Sequence, residues 1–121
     1  MLSTLTRPAV LLRLEGALLF ALCTLFYARA DASWWLFALL FFSPDLAMLG
    51  YLASPRTGAL CYNLAHTEAL PAALLGYGLL NAQPLPIALA LIWLGHIGFD
   101  RLVGYGLKYT SAFQDTHLGR V

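Results

Sequence analysis

Charged residues are scarce in this sequence of 121 residues. Asp, Glu, Lys and Arg make up 11% of the chain and hydrophobic residues make up 60%, whereas soluble domains contain about 25% charged residues. A soluble monomer of this composition would expose large apolar patches, which soluble monomers rarely do. The composition therefore excludes an ordinary soluble domain and favours a chain whose solvent is the lipid bilayer.

Several kinds of site are also missing. The net charge is +1 and no cluster of Lys and Arg could follow a phosphate backbone, so nucleic acid is not expected as a partner. The two cysteines, Cys23 and Cys61, fall on different predicted helices at different depths, and we interpret them as apolar packing residues. No Gly-rich phosphate loop, Gly-x-Ser-x-Gly elbow or His-Glu-x-x-His motif is present. Any activity is thus expected in or at the membrane.

Four apolar segments stand out, each close to the roughly 20 residues that cross a bilayer. They cover residues 9–28, 34–53, 59–80 and 85–106, and Ser43-Pro44-Asp45 interrupts the second. Because the connections are short, neighbouring helices should be antiparallel. The sequence predicts one all-α domain, residues 1–121: a four-helix transmembrane bundle with up-down-up-down topology and a polar tail at 110–121.

Basic residues predict the orientation of this bundle. All but one of those that flank the predicted spans fall on one side: Arg7, Arg13, Arg56, Lys108 and Arg120. Arg29 alone marks the other side. The positive-inside rule then predicts a multi-pass protein of the bacterial inner membrane with both termini in the cytoplasm. The lipid bilayer is the expected partner, and a homo-oligomer or a larger membrane complex stays open.

Ionisable side chains inside the predicted spans lie at one depth. Counted along the chain from Arg7, Arg56 or Lys108 at the predicted cytoplasmic ends, five of them are 8 to 12 residues away: Glu15, Asp45, His66, His96 and Asp100. At about 1.5 Å per residue, all five reach a layer roughly 10–18 Å from the cytoplasmic side. Such residues are expensive in a membrane and indicate a functional site.

Two imidazoles and three carboxylates at one level are a ligand set for Zn, Fe or Mn. The sequence therefore predicts a metal site formed by Glu15, Asp45, His66, His96 and Asp100. Asn63 and Arg101 are predicted to support these ligands from the same layer. A metal there could serve an enzyme that acts on a lipid-like or small hydrophobic substrate.

Two alternatives remain open from the residues alone. The polar layer could be structural, with His96 paired to Asp100 and Arg101 paired to Glu15 or Glu68, in a non-enzymatic scaffold or accessory subunit of a membrane complex. It could also belong to a proton or ion pathway, although the apolar outer halves of the spans argue against a continuous polar path.

Five stretches of the sequence form a recognisable combination: Pro44–Tyr51, Tyr62–Thr67, Gly95–Arg101, Gly104–Tyr109 and Thr116–Gly119. With them the chain, from about Leu11 to Gly119, resembles a family of short bacterial membrane proteins catalogued as a domain of unknown function. That resemblance implies a four-helix membrane protein and no activity. Pro44-Asp45 and His66 carry a fainter resemblance to membrane-embedded metal-dependent hydrolases, which implies metal binding and hydrolysis.

Overall fold

Residues 7–104 are described by the computed structural model, and the regular structure in that range is entirely helical. It comprises five α-helices and one 3₁₀ segment: α1 (Pro8–Arg29), α2 (Trp34–Leu40), the 3₁₀ segment (Ser43–Leu52), α3 (Pro55–His66), α4 (Ala69–Leu80) and α5 (Pro84–Leu102). The all-α prediction is confirmed for these residues. The predicted polar tail, 110–121, and the end of the fourth predicted span lie outside them.

Proline and serine begin several of these helices. Pro8, Pro55 and Pro84 each occupy the first turn of a helix, where the missing N–H has no intrahelical partner to lose and the fixed φ suits the helix. Ser33 and Ser54 precede α2 and α3, and their hydroxyls accept hydrogen bonds from backbone N–H groups of the first turn. Local chemistry thus accounts for where the chain enters α1, α2, α3 and α5.

Two helices, α1 and α5, are long enough and apolar enough to cross a membrane. Their 22 and 19 residues correspond to about 33 and 28 Å at 1.5 Å per residue, close to the roughly 30 Å of the hydrocarbon core. They match the first and fourth predicted spans.

The second and third predicted spans are not continuous helices. The second is divided into α2 and the 3₁₀ segment, and the third into α3 and α4. A proline within a helix lacks the hydrogen-bond donor and its ring clashes with the carbonyl group four residues earlier. Pro44 lies four residues after Leu40, the last residue of α2, and Pro71 lies four residues after Thr67, where the backbone is extended (φ −84°, ψ 139°). Both breaks therefore have the same steric cause.

Helix α5 is the centre of the described fold. It packs against α1 and against α4, while the 3₁₀ segment packs against α3. Gly16 and Gly98 bring α1 and α5 into backbone contact, because a Cβ at Gly98 would lie 2.7 Å from the backbone nitrogen of Phe20 and 2.8 Å from the carbonyl oxygen of Gly16. Small residues that let two helices approach this closely are typical of packing in membranes.

The apolar core lies beside this contact and ends next to the polar residues of α5. Seven buried residues form it: Cys23, Tyr27, Phe41, Ala88, Leu91, Ile92 and Leu94. His96 follows the last of them by two residues on α5, and Asp100 follows His96 by one helical turn; both side chains are buried. The core therefore fixes the helix that carries these two polar groups.

Candidate metal centre

Four ionisable side chains from three elements meet at the helix breaks. Asp45 lies at the start of the 3₁₀ segment, directly after Pro44, and His66 is the last residue of α3. His96 and Asp100 are one turn apart on α5 and share a face. The two breaks thus bring the Asp45 carboxylate and the His66 imidazole beside His96 and Asp100, which lie on the continuous helix α5.

The facing atoms of these four side chains form a close group. Nε2 of His66 lies 3.1 Å from Oδ1 of Asp45 and 3.2 Å from Oδ2 of Asp100. Nε2 of His96 lies 3.2 Å from each of the same two oxygens. The two Nε2 atoms are 3.1 Å apart, and all four atoms lie within 4.8 Å of one another. They surround a single point.

His66 is held so that Nε2 faces that point. Its Nδ1 lies 2.9 Å from the carbonyl oxygen of Tyr62, and because a carbonyl only accepts, Nδ1 must carry the proton and donate it. The Tyr62 ring stacks on the imidazole with 3.8 Å between ring centroids and 8° between planes. In the neutral ring, Nε2 then presents a lone pair to two carboxylate oxygens. A cation between Nε2 and the two carboxylate oxygens would bind all three acceptors and offset their mutual repulsion.

His96 is enclosed by aromatic rings. The Phe41 and Phe42 rings meet its imidazole at steep angles, with ring centroids 5.4 Å and 6.0 Å away. Its side chain is fully buried, and within residues 7–104 its Nδ1 has no hydrogen-bond partner. The only polar contacts of this ring in the described part of the chain are therefore made by Nε2, at the point where the four side chains meet.

The C-terminal end of α3, which carries His66, is held by side chains of α5. The last carbonyl groups of a helix have no intrahelical partner and need another donor when buried. The Trp93 indole N–H donates to the carbonyl oxygen of Ala65, and Arg101 donates through Nη2 to that of His66 at 3.4 Å. Arg101 also lies 3.7 Å from a carboxylate oxygen of Glu68. These contacts keep the end of α3, and with it His66, against α5.

The group suits a small divalent metal ion. A regular tetrahedron of ligands about 2.0–2.1 Å from zinc has edges of about 3.3 Å, and the five closest pairs of ligand atoms here are 3.1–3.2 Å apart. Imidazole nitrogen and carboxylate oxygen are ligands for Zn, Fe and Mn. Asp45 forms the open side of the group, since its side chain is 34% exposed while those of His66 and His96 are almost completely buried.

Most, but not all, of the residues predicted to form the site come together. Asp45, His66, His96 and Asp100 form the group, whereas Glu15 is exposed on α1 and lies outside it. Arg101, predicted as a supporting residue, lies beside the backbone of His66. Asn63 is partly buried one turn before His66 on α3.

Sequence reasoning missed the role of Trp93. Its indole N–H bonds to the broken end of α3, but neither its residue type nor its spacing separates it from Trp34 and Trp35. Tyr62 carried a weak signal, since it precedes His66 by one helical turn and an aromatic ring there can stack on the imidazole.

Comparison with known proteins identifies one family. The model of the family described as "Domain of unknown function (DUF4260)" matches residues 9–121, nearly the whole chain. No curated protein and no solved structure matches the chain. The family suggested by the sequence motifs is thereby confirmed, while the resemblance to membrane-embedded hydrolases stays an expectation.

Proposed function

Because the chain belongs to the family described as "Domain of unknown function (DUF4260)", a description that assigns no activity, we propose a function from the residues of the candidate centre. The protein is an integral membrane metalloprotein. Its Asp45, His66, His96 and Asp100 side chains hold one divalent ion within the bilayer. The ion serves hydrolysis or oxidation of a membrane-embedded substrate, since a bound metal can lower the pKa of water or accept electrons.

The exposed surface supports a membrane location. Leu11, Leu14, Leu18, Leu22 and Leu25 are all exposed along α1, so this helix is apolar on the side away from α5 as well. Leu52 and Leu80, on other elements, are 87% and 88% exposed. Exposed apolar surface of this extent suits lipid and not water.

The broken helices are compatible with four crossings. In this proposal α2 with the 3₁₀ segment forms the second crossing, and α3 with α4 forms the third. Interrupted helices occur in membranes where the freed backbone groups are buried in protein or otherwise satisfied. The bonds from Trp93 and Arg101 to the end of α3 meet that condition at the break between α3 and α4. The basic residues then place both termini and residues 54–58 in the cytoplasm.

The single observation that carries the metal proposal is the orientation of the His66 imidazole. Its Nδ1 is committed to the Tyr62 carbonyl oxygen, so Nε2 of the neutral ring faces the Asp45 and Asp100 carboxylates with a lone pair. Histidine ligands of metals usually donate their other ring N–H in this way, which orients the ring toward the ion. The two carboxylates also match the charge of a divalent cation.

A structural polar layer is the second candidate. A protonated His66 would pair with both carboxylates without a metal, and Arg101 lies 3.7 Å from Glu68 as that interpretation expects. Since the Glu68 side chain is 53% exposed, this ion pair contributes little to stability. The candidate therefore depends on the His and Asp side chains alone and predicts that they stabilise the fold with no ion bound.

Elemental mass spectrometry of protein purified in mild detergent without added metal tests the proposal. We expect about one equivalent of Zn, Fe or Mn per chain, as four ligands around one point require. The His66→Ala and His96→Ala variants should lose this metal. The matched control is Glu15→Ala, which removes an exposed carboxylate that the sequence places at the same depth.

The outcomes separate the two candidates. Metal retained by wild type and Glu15→Ala but lost from both histidine variants supports the metal centre. A metal-free wild type that stays folded, together with a lowered unfolding temperature for His66→Ala, supports the structural layer and overturns the metal proposal.

A further inference from the structure

An apolar cleft adjoins the candidate metal centre. Its volume is about 340 Å³, which lies within the range of roughly 300–1,000 Å³ found for small-molecule sites. Five elements contribute to its wall, and most of the lining is hydrocarbon: it includes Pro44, Ala65, Leu74, Leu89, Ile92 and Trp93.

The cleft and the metal centre share their backbone segments. Pro44 in the cleft wall directly precedes Asp45, and Ala65 directly precedes His66. Ile92 and Trp93 lie one helical turn before His96 on α5. Three of the four ligand side chains are therefore carried by residues next to the cleft wall in sequence or one helical turn from it.

The open side of the metal centre also lies at the 3₁₀ segment, which contributes to the cleft wall. Asp45, the most exposed of the four ligands, follows the two cleft residues Ser43 and Pro44. A molecule with a polar group at Asp45 would extend its remainder along an apolar wall. In a membrane-spanning protein, a cleft with little polar lining is filled from the bilayer more readily than from water.

On the basis of the metal centre proposed above, we propose that the cleft binds the hydrocarbon chain of a single-chain membrane amphiphile. Its polar group reaches the ion on the Asp45 side. The substrate class is thus a lipid-like molecule with one unbranched chain, and the cleft sets the position of the reacting group along it. Each methylene buried in the cleft strengthens binding about fourfold, equivalent to ~0.8 kcal/mol.

Alkyl hydroxamates provide a direct probe, because their head group chelates metal ions and the chain length is chosen freely. Acetohydroxamate and octyl hydroxamate are titrated calorimetrically into protein at one detergent concentration, and bound metal is measured in the same preparation. Octyl hydroxamate should bind more tightly than both acetohydroxamate and octanamide, whose chain lacks the chelating head.

A variant that fills the cleft distinguishes binding of the hydrocarbon chain in the cleft from binding of the head group to the metal. Leu89→Trp enlarges a side chain in the wall, and Leu18→Trp makes the same change on the exposed face of α1 as the matched control. Displacing even two methylene groups should weaken octyl hydroxamate about fifteenfold and leave acetohydroxamate within twofold of wild type. Leu74→Phe, at another lining residue on α4, serves if Leu89→Trp does not fold.

Each result has one meaning. Selective loss of octyl hydroxamate binding in the cleft variant, with metal retained, supports the substrate class. Equal binding of long and short hydroxamates, or no effect of either cleft variant, with metal bound overturns the cleft proposal and leaves the metal centre standing. Protein without metal overturns both.

Discussion

The close contact between α1 and α5 makes a quantitative prediction about Gly98→Ala. A Cβ at this position would lie 2.7 Å from the Phe20 backbone nitrogen and 2.8 Å from the Gly16 carbonyl oxygen, whereas ordinary Cβ contacts begin at 3.4 Å. The helices would have to separate by about 0.7 Å, because both obstructing atoms belong to the backbone and cannot rotate away. Such overpacking costs about 1–3 kcal/mol.

Helix propensity acts in the opposite direction. Replacing glycine by alanine within a helix stabilises it by about 0.5–1 kcal/mol, so the net effect of Gly98→Ala should be a loss of up to about 2.5 kcal/mol. Gly76 offers a matched control on α4, because a Cβ there meets no atom within 4 Å. Gly76→Ala should therefore stabilise the protein by the propensity gain alone.

The assay is reversible unfolding of the purified protein in mixed micelles, followed by circular dichroism for wild type and both variants. The two substitutions are chemically identical, so their difference reports the packing of α1 on α5. Equal unfolding free energies for Gly98→Ala and Gly76→Ala would refute the backbone contact described here.

Three further variants test the contacts around the centre. Arg101→Ala removes the bond to the α3 terminus and should weaken metal binding about 10–100-fold, with Arg101→Lys intermediate. Competition with a chelator measures this affinity, and wild-type affinity in Arg101→Ala would contradict the role of Arg101. Trp93→Phe leaves the Ala65 carbonyl unpaired and should lower the free energy of unfolding by about 1–3 kcal/mol, whereas an unchanged unfolding curve would show that this bond contributes nothing. Pro71→Ala removes the steric cause of the break at Thr67, so helix content by circular dichroism should rise as metal affinity falls; the break has another cause if neither changes.

Much of the site follows from depth along the chain, but depth alone does not fix the direction of a side chain. Glu15 and Asp100 fall in the same predicted layer, yet only Asp100 joins the group. The face of α1 that meets α5 carries Gly16, Cys23 and Tyr27, and Glu15 is about 100° around the helix from Gly16. Gly16, a glycine within an apolar run, indicates the face of α1 that packs on α5. Because Glu15 lies about 100° around the helix from that face, its side chain points away from the centre.

The breaks in the predicted spans show a different limit. Hydropathy and length describe 59–80 as one apolar segment and do not register where the backbone stops being helical. Pro71 marks that place by the same steric rule that applies to Pro44. Tertiary contacts bring the two breaks to the same level and supply hydrogen-bond donors to the end of α3. No local sequence pattern encodes such contacts, of which the Trp93 hydrogen bond is one.

The position of both helix breaks beside the carboxylates of Asp45 and Asp100 links membrane insertion of the proposed metalloprotein to ion supply. Two ionised carboxylates with neutral imidazoles leave two negative charges in the bilayer, each of which costs several kcal/mol without compensation. A divalent ion cancels both, whereas a monovalent ion leaves one. The 3₁₀ segment and α3 would then be more stable at this depth with the ion than without it, because metal binding to the folded state stabilises that state. In cells deprived of that metal, a larger share of the newly made chain should be degraded, so its abundance should follow metal availability.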